Sequence, residues 1–328
     1  MAVPFTQGRH KDHKAHITGL ILLTAVLLFP TLLPEKIGWL TSFVPLPIFY
    51  YLVLLGKKDG TILIRNAILI AIAGSLLIGS MPVLVFSLAM VPLGIAFSHA
   101  VFNRKNPVET GFIGFLFLAL AWILFWFGLG MIHQTNPYTN LLAELDEGLS
   151  SGLIIYEKSA ELAPETLESI RSAVNLLRNY IPKVLPGLLI SAILTITWLN
   201  LVLGNLLLKK KDKDLTRWPD YIEWKLPDPL VWMVIFAGLT VFLLPSPINT
   251  IGYNLLIICV TVYFFQGLAI VNSLLNKWSV PMLIRILIYA LIFIQTYGII
   301  ILSFLGLADV WADFRKLDHV AEKPDNSI

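Results

Sequence analysis

Long apolar stretches alternate with short polar connections along most of the chain. The stretches contain only two charged residues, Arg65 and Arg285. Nine can be marked, at residues 17–33, 37–55, 61–79, 80–99, 110–132, 185–208, 229–247, 251–275 and 280–307. A membrane-spanning helix needs about 20 apolar residues, whereas a barrel strand alternates over roughly ten. The pattern therefore predicts an all-α polytopic membrane protein with about nine transmembrane helices, or eight if one segment is miscounted.

Composition supports the same class. The 328 residues are 57% hydrophobic and 14% charged, with a mean hydropathy of +0.78, whereas a soluble domain is about a quarter charged. These values exclude a soluble enzyme, a nucleic-acid-binding domain and a disordered tail. The lipid bilayer is the expected partner, and we expect no nucleic-acid partner.

The distribution of Lys and Arg predicts the orientation. With the N-terminus in the cytoplasm, the inner connections carry most of the basic residues outside the long 134–183 loop, as topology rules require. The tail is ambiguous in this scheme. Nine spans place it outside, yet the basic stretch 313–316 favours the inside. One re-entrant segment would reverse the tail's side.

The long polar insert, residues 134–183, has helical periodicity of its own. Pro164 and Glu165 favour a helix start, and apolar residues then recur at spacings of three and four. We interpret the insert as an outer amphipathic helical hairpin. Its apolar stripes either pair with each other, cover the membrane region, lie on the lipid headgroups or dock a membrane or envelope partner. The predicted docking stripe is Leu167, Ile170, Val174 and Leu177.

The insert also divides the chain into four predicted regions. A five-helix membrane region covers 1–133 and the extracytoplasmic hairpin covers 134–183. A four-helix membrane region covers 184–308, and a polar tail covers 309–328.

Polar residues within the apolar segments are the candidates for function. Asn254, Thr261 and Asn272 fall within about 20° of one another on a helix, and Gln266 lies about 120° away. A second polar row, within about 40°, follows the ninth segment as Arg285, Tyr289, Thr296 and Ser303. Such rows either form interhelical hydrogen bonds or line a cavity for a small solute. The predicted cavity lining is Asn254, Gln266, Asn272, Arg285, Tyr289 and Thr296.

Motifs of soluble enzymes are missing from the sequence. We find no phosphate-binding loop, no HExxH zinc motif and no GxSxG elbow. The nine segments contain no Asp or Glu, which argues against a proton relay built on buried carboxylates. We therefore expect no enzyme activity, no cofactor and no metal.

Several stretches resemble the YybS-like family of predicted bacterial membrane proteins. They are 223–228 with Trp232, 263–271, 306–316 and the insert with Ile181-Pro182. The resemblance covers nearly the whole chain, implies no known reaction, and implies a bacterial cytoplasmic (inner) membrane location. Within residues 17–130, Pro45–Ile48 and Leu54–Gly60 are also similar to substrate-capture subunits of energy-coupling-factor transporters. That second resemblance implies vitamin binding with an ATPase partner, although the extra spans and the insert depart from it.

Two functional hypotheses remain open. The first is a solute-binding or transport protein without its own ATPase. The second is a non-transporting envelope scaffold that docks a partner through 134–183 and uses its polar rows only for packing. An intramembrane enzyme is a third, weaker alternative.

Overall fold

A computed structural model describes residues 13–158, 163–212, 215–216 and 218–315, and within these ranges every regular element is a helix. The first six α-helices are α1 (His13–Leu32), α2 (Pro34–Ile37), α3 (Pro45–Ile78), α4 (Met81–Leu88), α5 (Val91–Phe102) and α6 (Pro107–His133). The next six are α7 (Pro137–Glu157), α8 (Pro164–Lys211), α9 (Leu230–Leu243), α10 (Asn249–Lys277), α11 (Met282–Ile294) and α12 (Thr296–Ala312). Short 3₁₀ helices lie at Gly38–Phe43 and Tyr221–Glu223.

The prediction of an all-α polytopic membrane protein is confirmed. Among the described residues, six helical stretches are long and apolar enough to cross a membrane, or seven if α11 and α12 count as one bent span. This number is below the predicted nine, although each of the nine apolar segments is helical. The difference arises because Pro34–Ile78 contains two of the segments, and because α9 has only 14 residues.

A sharp turn at Gly56 separates the two apolar segments 37–55 and 61–79. Gly56 adopts φ 82° and ψ 169° inside α3, a conformation that is not helical and that glycine reaches without steric cost. A Cβ on Gly60 would lie 2.9 Å from the Cα of Leu52, although eight residues of straight helix span about 12 Å. The chain therefore reverses between the two apolar segments, as their separation in the sequence predicts.

The helices form two compact units. The first unit contains the chain up to Phe125 together with Ile196–Trp218, and the second contains Trp126–Thr195 together with the chain from Pro219 onward. In the first unit, Phe49 and Phe97 are fully buried and meet edge to face, with ring centroids 5.4 Å apart. The candidate residues named above all belong to the second unit.

In the second unit, α7 and the first turns of α8 lie antiparallel. Arg178 pairs with Asp146 at 2.7 Å, and Arg171 pairs with Glu157 at 2.8 Å. These pairs join the two helices at two levels of the insert. Helix α8 then continues without interruption to Lys211, so the outer helix and the following apolar segment are one 48-residue helix.

Proline residues in α8 leave backbone groups that other helices satisfy. Pro186 has no N–H, so it cannot donate to the carbonyl of Pro182, and the hydroxyl of Tyr138 donates to that carbonyl at 2.9 Å. One residue on, the Asn254 side chain accepts from the N–H of Gly187 at 2.5 Å and donates to the carbonyl of Lys183 at 2.8 Å. Those are the two groups that an α-helix normally joins to each other. Side chains from α7 and α10 therefore support α8 at its prolines.

The chain after α12 does not begin as a solvated tail. Helix α12 continues to Ala312, beyond the predicted boundary at 309. Arg315 donates to the carbonyls of Ile222 and Trp224, both at 2.8 Å. Residues 313–315 therefore lie on the same side of the second unit as the 219–228 connection, and residues 316–328 lie outside the described residues.

Candidate functional site: a buried cluster at the end of α12

Three segments far apart in the sequence meet at one polar cluster. We call it the buried cluster, and it consists of Gln266 on α10, Asp309 on α12, Arg315, and the 221–226 segment. The cluster unites three of the four stretches on which the YybS-like resemblance rests, those around 223–228, 263–271 and 306–316. Its geometry follows from how α10 and α12 pack.

Helices α10 and α12 cross at close range. The Ser303 hydroxyl donates to the carbonyl of Val260, and the Gln266 amide donates to Asp309. A Cβ on Gly267 would lie 2.1 Å from the carbonyl oxygen of Leu302. Only glycine fits at such a backbone approach.

The ion pair of the cluster is almost completely buried. Arg315 Nη2 lies 2.8 Å from Asp309 Oδ2, and the two side chains are 1% and 2% exposed. Gln266 Nε2 donates to the same oxygen at 3.1 Å, and the backbone N–H of Phe314 donates to Asp309 Oδ1 at 3.0 Å. Both carboxylate oxygens are therefore engaged by donors, and the contact with Arg315 is a charge-assisted hydrogen bond.

The same side chains fix the 221–226 segment. Arg315 holds the carbonyls of Ile222 and Trp224 described above, and Gln266 Oε1 accepts from the N–H of Leu226 at 3.0 Å. The Tyr221 hydroxyl donates to the carbonyl of Phe265. The segment contains little regular structure, so these bonds supply partners that a helix would otherwise provide for its backbone.

The cluster can hold segments together, but it is not arranged for catalysis. Its carboxylate has both oxygens engaged, and its guanidinium is covered by protein. No group of three or more His, Cys, Asp or Glu residues in the described part of the chain could hold a metal ion. Arg315 Nε has no hydrogen-bond partner among the described residues. The arrangement is that of a latch, in which one side chain joins α12 to a distant connection.

The six residues predicted to line a cavity do not converge. Gln266 belongs to the buried cluster, and Asn254 lies at the prolines of α8. Arg285 donates to the carbonyls of Leu275 and Val280 at 3.2 and 2.7 Å, which terminates α10 with a cation where the helix dipole favours one. Each of these three groups thus bonds to protein atoms.

The other three candidates lie elsewhere on α10, α11 and α12. Asn272 and Tyr289 are half-buried. Thr296 begins α12, and its side chain is outside the described residues. The helix breaks at Gln295, and the two parts are bent by 105°, so Arg285 and Tyr289 share no continuous row with Ser303. The predicted row assumed one straight helix, and that assumption is wrong.

The predicted docking stripe is largely covered within the chain. Leu167 and Ile170 are half-buried, Val174 is buried, and only Leu177 is exposed. Within residues 164–183 of this helix, the exposed large apolar side chains are Leu176, Leu177 and Tyr180. An amphipathic stripe buries itself against any available apolar surface, so periodicity alone did not identify the outward face.

Sequence reasoning missed Asp309 and Arg315. The last apolar segment ends at residue 307, so both residues were assigned to the polar tail. A usable signal was nevertheless present. An acid lies two residues beyond a long apolar segment and an arginine follows six residues later. Opposite charges so close to a span end are candidates for mutual burial.

Comparison with known proteins identifies the family. A family model described as "Predicted membrane protein (DUF2232)" matches residues 20–310. Because the match covers most of the chain, this protein belongs to that family. No curated protein and no solved structure matches the chain. The naming as YybS-like and the likeness to energy-coupling-factor subunits stay predictions.

Proposed function

We propose that this member of the DUF2232 family is a non-transporting membrane scaffold that docks an envelope partner through the α7–α8 hairpin. We assign it no enzymatic activity. The observation that carries the proposal is that Asn254, Gln266 and Arg285 each bond to protein atoms at separate places. Groups used in this way contribute to helix packing, at about 0.6 kcal/mol for an average interhelical hydrogen bond.

The docking surface of this proposal differs from the predicted stripe. Leu176, Leu177 and Tyr180 are 58%, 46% and 53% exposed. They lie just before Pro182, where α8 leaves the polar insert and enters the apolar segment 185–208. Exposed apolar side chains at this position suit a partner with an apolar helix near the membrane surface.

We also propose a bacterial cytoplasmic membrane location with a cytoplasmic N-terminus. Support comes from the Lys and Arg distribution and from the contact of Arg315 with residues 222 and 224, which belong in the sequence to the Lys-rich 209–228 connection. Both arguments favour an inner position for residue 315 under the rule that basic residues stay inside.

Solute binding is tested first, because it is the competing function. Native mass spectrometry of the full chain, purified in mild detergent, should detect the protein with lipids only. A non-lipid solute bound at a stoichiometry near one would contradict the scaffold proposal. Lipid adducts are the expected background for any membrane protein.

Partner docking is tested by site-specific photo-crosslinking in native membranes. A photoreactive amino acid at Leu177 should give a discrete adduct, whereas the same group at the exposed Glu168 should not. The change Leu176→Asp should abolish the adduct at Leu177 while leaving the amount of protein in the membrane unchanged. Equal crosslinking from both positions, or an adduct insensitive to Leu176→Asp, would refute the docking surface.

A further inference from the structure

Arg65 is one of the two charged residues in the apolar segments, and its surroundings differ from those of Arg285. Arg285 donates to backbone carbonyls at the end of α10, whereas Arg65 donates to the neighbouring Asn66 side chain at 3.4 Å. Within the described ranges, no carboxylate forms an ion pair with Arg65, and its side chain is exposed. A cation at this position in a membrane span requires a counter-charge or access to the headgroups.

The second part of α3, residues 57–78, has one buried face and one exposed face. Leu63 and Ala67 lie on the buried face. The exposed face carries a lysine, a threonine and an arginine that we call the cationic stripe: Lys58, Thr61 and Arg65. At about 100° per residue, these three positions fall within roughly 60° of one another. Asp59 is half-buried and is turned away from Lys58 by about 100°, so the stripe itself contains no acid.

The cationic stripe lies at one end of this part of the helix. Residues 57–78 extend about 33 Å at 1.5 Å per residue, which is close to the thickness of a hydrocarbon core. Lys58 therefore lies at one interface, and Arg65 lies about 10 Å further along the helix axis. Helical side chains point back toward the N-terminus of their helix, so the Arg65 guanidinium reaches over Thr61 toward Lys58. Both cationic groups therefore reach headgroup depth, where lipid phosphates lie.

We propose that the cationic stripe binds the headgroup of an anionic phospholipid of the surrounding bilayer. A guanidinium matches a phosphate with two parallel hydrogen bonds, and an ammonium adds a point charge beside it. The Thr61 hydroxyl is a further donor. Two positive charges without an acid favour a lipid with net negative charge, because the choline cation of a zwitterionic lipid would be repelled. Basic residues beside a span recognise anionic lipids in this way.

The rest of the exposed face favours a lipid over a free phosphate ion. Leu69 and Leu76 follow Arg65 on the same face of the helix and are 57% and 63% exposed. The acyl chains of a phospholipid held at Arg65 would run along these side chains toward the middle of the bilayer. A free phosphate ion would leave them without a role in binding.

Native mass spectrometry of the full chain tests the lipid class. The protein is delipidated in detergent and titrated with dioleoylphosphatidylglycerol or dioleoylphosphatidylcholine. One molecule of the phosphatidylglycerol should bind in preference to the phosphatidylcholine, and excess inorganic phosphate should not displace it. Equal binding of the two lipids would overturn the proposal, and so would displacement by inorganic phosphate.

Substitutions test the residues of the stripe. Arg65→Gln and Lys58→Gln should each weaken phosphatidylglycerol binding by about fivefold, as expected for one cation near an anionic headgroup. Arg65→Lys keeps the charge and loses the paired hydrogen bonds, so its affinity should lie between those of Arg65→Gln and the unmodified chain. Unchanged affinity in both Gln variants would overturn the assignment of the site, and Lys58→Gln and Arg65→Lys keep the test open should Arg65→Gln fail to fold.

Lys36 supplies the matched control, because it is an exposed lysine at the other end of the α1–α3 pair. Gly19 on α1 approaches Leu63, and Gly74 approaches Leu28 near the end of α1. Helix α2, which contains Lys36, directly follows α1 and therefore lies away from the cationic stripe. Lys36→Gln should change phosphatidylglycerol binding by less than about twofold, since salt screens charges beyond roughly 10 Å. A loss equal to that of Arg65→Gln would overturn the localised site.

Photo-crosslinking in native membranes tests whether a protein occupies the stripe instead. Ile62 is 39% exposed and lies next to Thr61. A photoreactive amino acid at Ile62 should give an adduct with the mass of an anionic phospholipid, and Arg65→Gln should reduce its amount. A discrete adduct with another protein, or a lipid adduct insensitive to Arg65→Gln, would overturn the proposal.

Discussion

Two arginine–aspartate pairs in the second unit have nearly the same length but different surroundings. Arg315 and Asp309 are 2.8 Å apart, and Arg178 and Asp146 are 2.7 Å apart. The first pair is 1% and 2% exposed, whereas the second is 34% and 57% exposed. Distance is therefore a poor guide to how much each pair matters.

The surroundings decide the energetic role. Water and salt screen the hairpin pair, and exposed pairs contribute about 0–1 kcal/mol. Burying the Arg315–Asp309 pair costs desolvation energy, so the presence of the pair is weak evidence of net stabilisation. Removing one partner, however, leaves the other charge buried without a counter-charge. Four sets of substitutions test whether the two pairs differ in this way.

The largest effect is expected for Arg315→Ala. Asp309 would keep two hydrogen bonds but lose its counter-charge, and the carbonyls of Ile222 and Trp224 would lose a donor. We expect a loss of about 3–5 kcal/mol in the free energy of unfolding. Tryptophan fluorescence during thermal unfolding in detergent measures it. A Tm unchanged from that of the unmodified chain would show that the cluster is solvated.

Replacing both charges should recover part of the loss. The double variant Asp309→Leu with Arg315→Met removes the buried charge together with its partner, and apolar replacement of a buried pair is often close to neutral. The double variant should therefore unfold at a higher temperature than Arg315→Ala. Additive losses from the two single changes would contradict this.

A smaller effect is expected for Gln266→Leu. The change leaves the N–H of Leu226 without its acceptor and removes one donor from Asp309, and such losses cost about 1–3 kcal/mol. Asn272→Leu on the same helix is the matched control, because Asn272 is half-buried. Limited proteolysis should also cut the 221–226 segment faster in Gln266→Leu only. Similar cleavage of both variants would separate Gln266 from that segment.

The smallest effect is expected for Arg178→Ala in the hairpin. Its loss should be about 0–1 kcal/mol at low ionic strength and should shrink further in about 1 M salt, where screening extends over roughly 3 Å. The same thermal measurement at two salt concentrations checks it. A salt-independent loss as large as that of Arg315→Ala would mean that the two pairs do not differ as the exposures indicate.

The apolar pattern predicted the helices because lipid imposes a simple requirement on length and polarity. All nine segments are helical, and the reversal near Gly56 was expected between two of them. The pattern could not predict the residue at which the chain turns within α3, since that depends on a single backbone conformation at Gly56.

The candidate site was only partly predictable. Gln266 was selected because it is a polar residue within an apolar segment, and it does belong to the buried cluster. Its partners Asp309 and Arg315 were not predicted, because they lie beyond the apolar segment and meet Gln266 through the close packing of α10 and α12. The polar row through Arg285 and Ser303 failed because Gln295 breaks the helix. A 28-residue segment interrupted by Gln295-Thr296 was longer than a simple span requires, and that excess was the available signal.

The latch has a consequence for biogenesis. Arg315 joins residues 91 and 93 positions earlier, so the ribosome delivers the 221–226 segment long before the side chain that secures it. During that interval Gln266 and Tyr221 can already bond the connection to α10. A translation product that stops at residue 313 would contain every helix of the described residues and still lack the closing side chain, and membrane quality-control proteases should degrade it faster than a product that stops at residue 316.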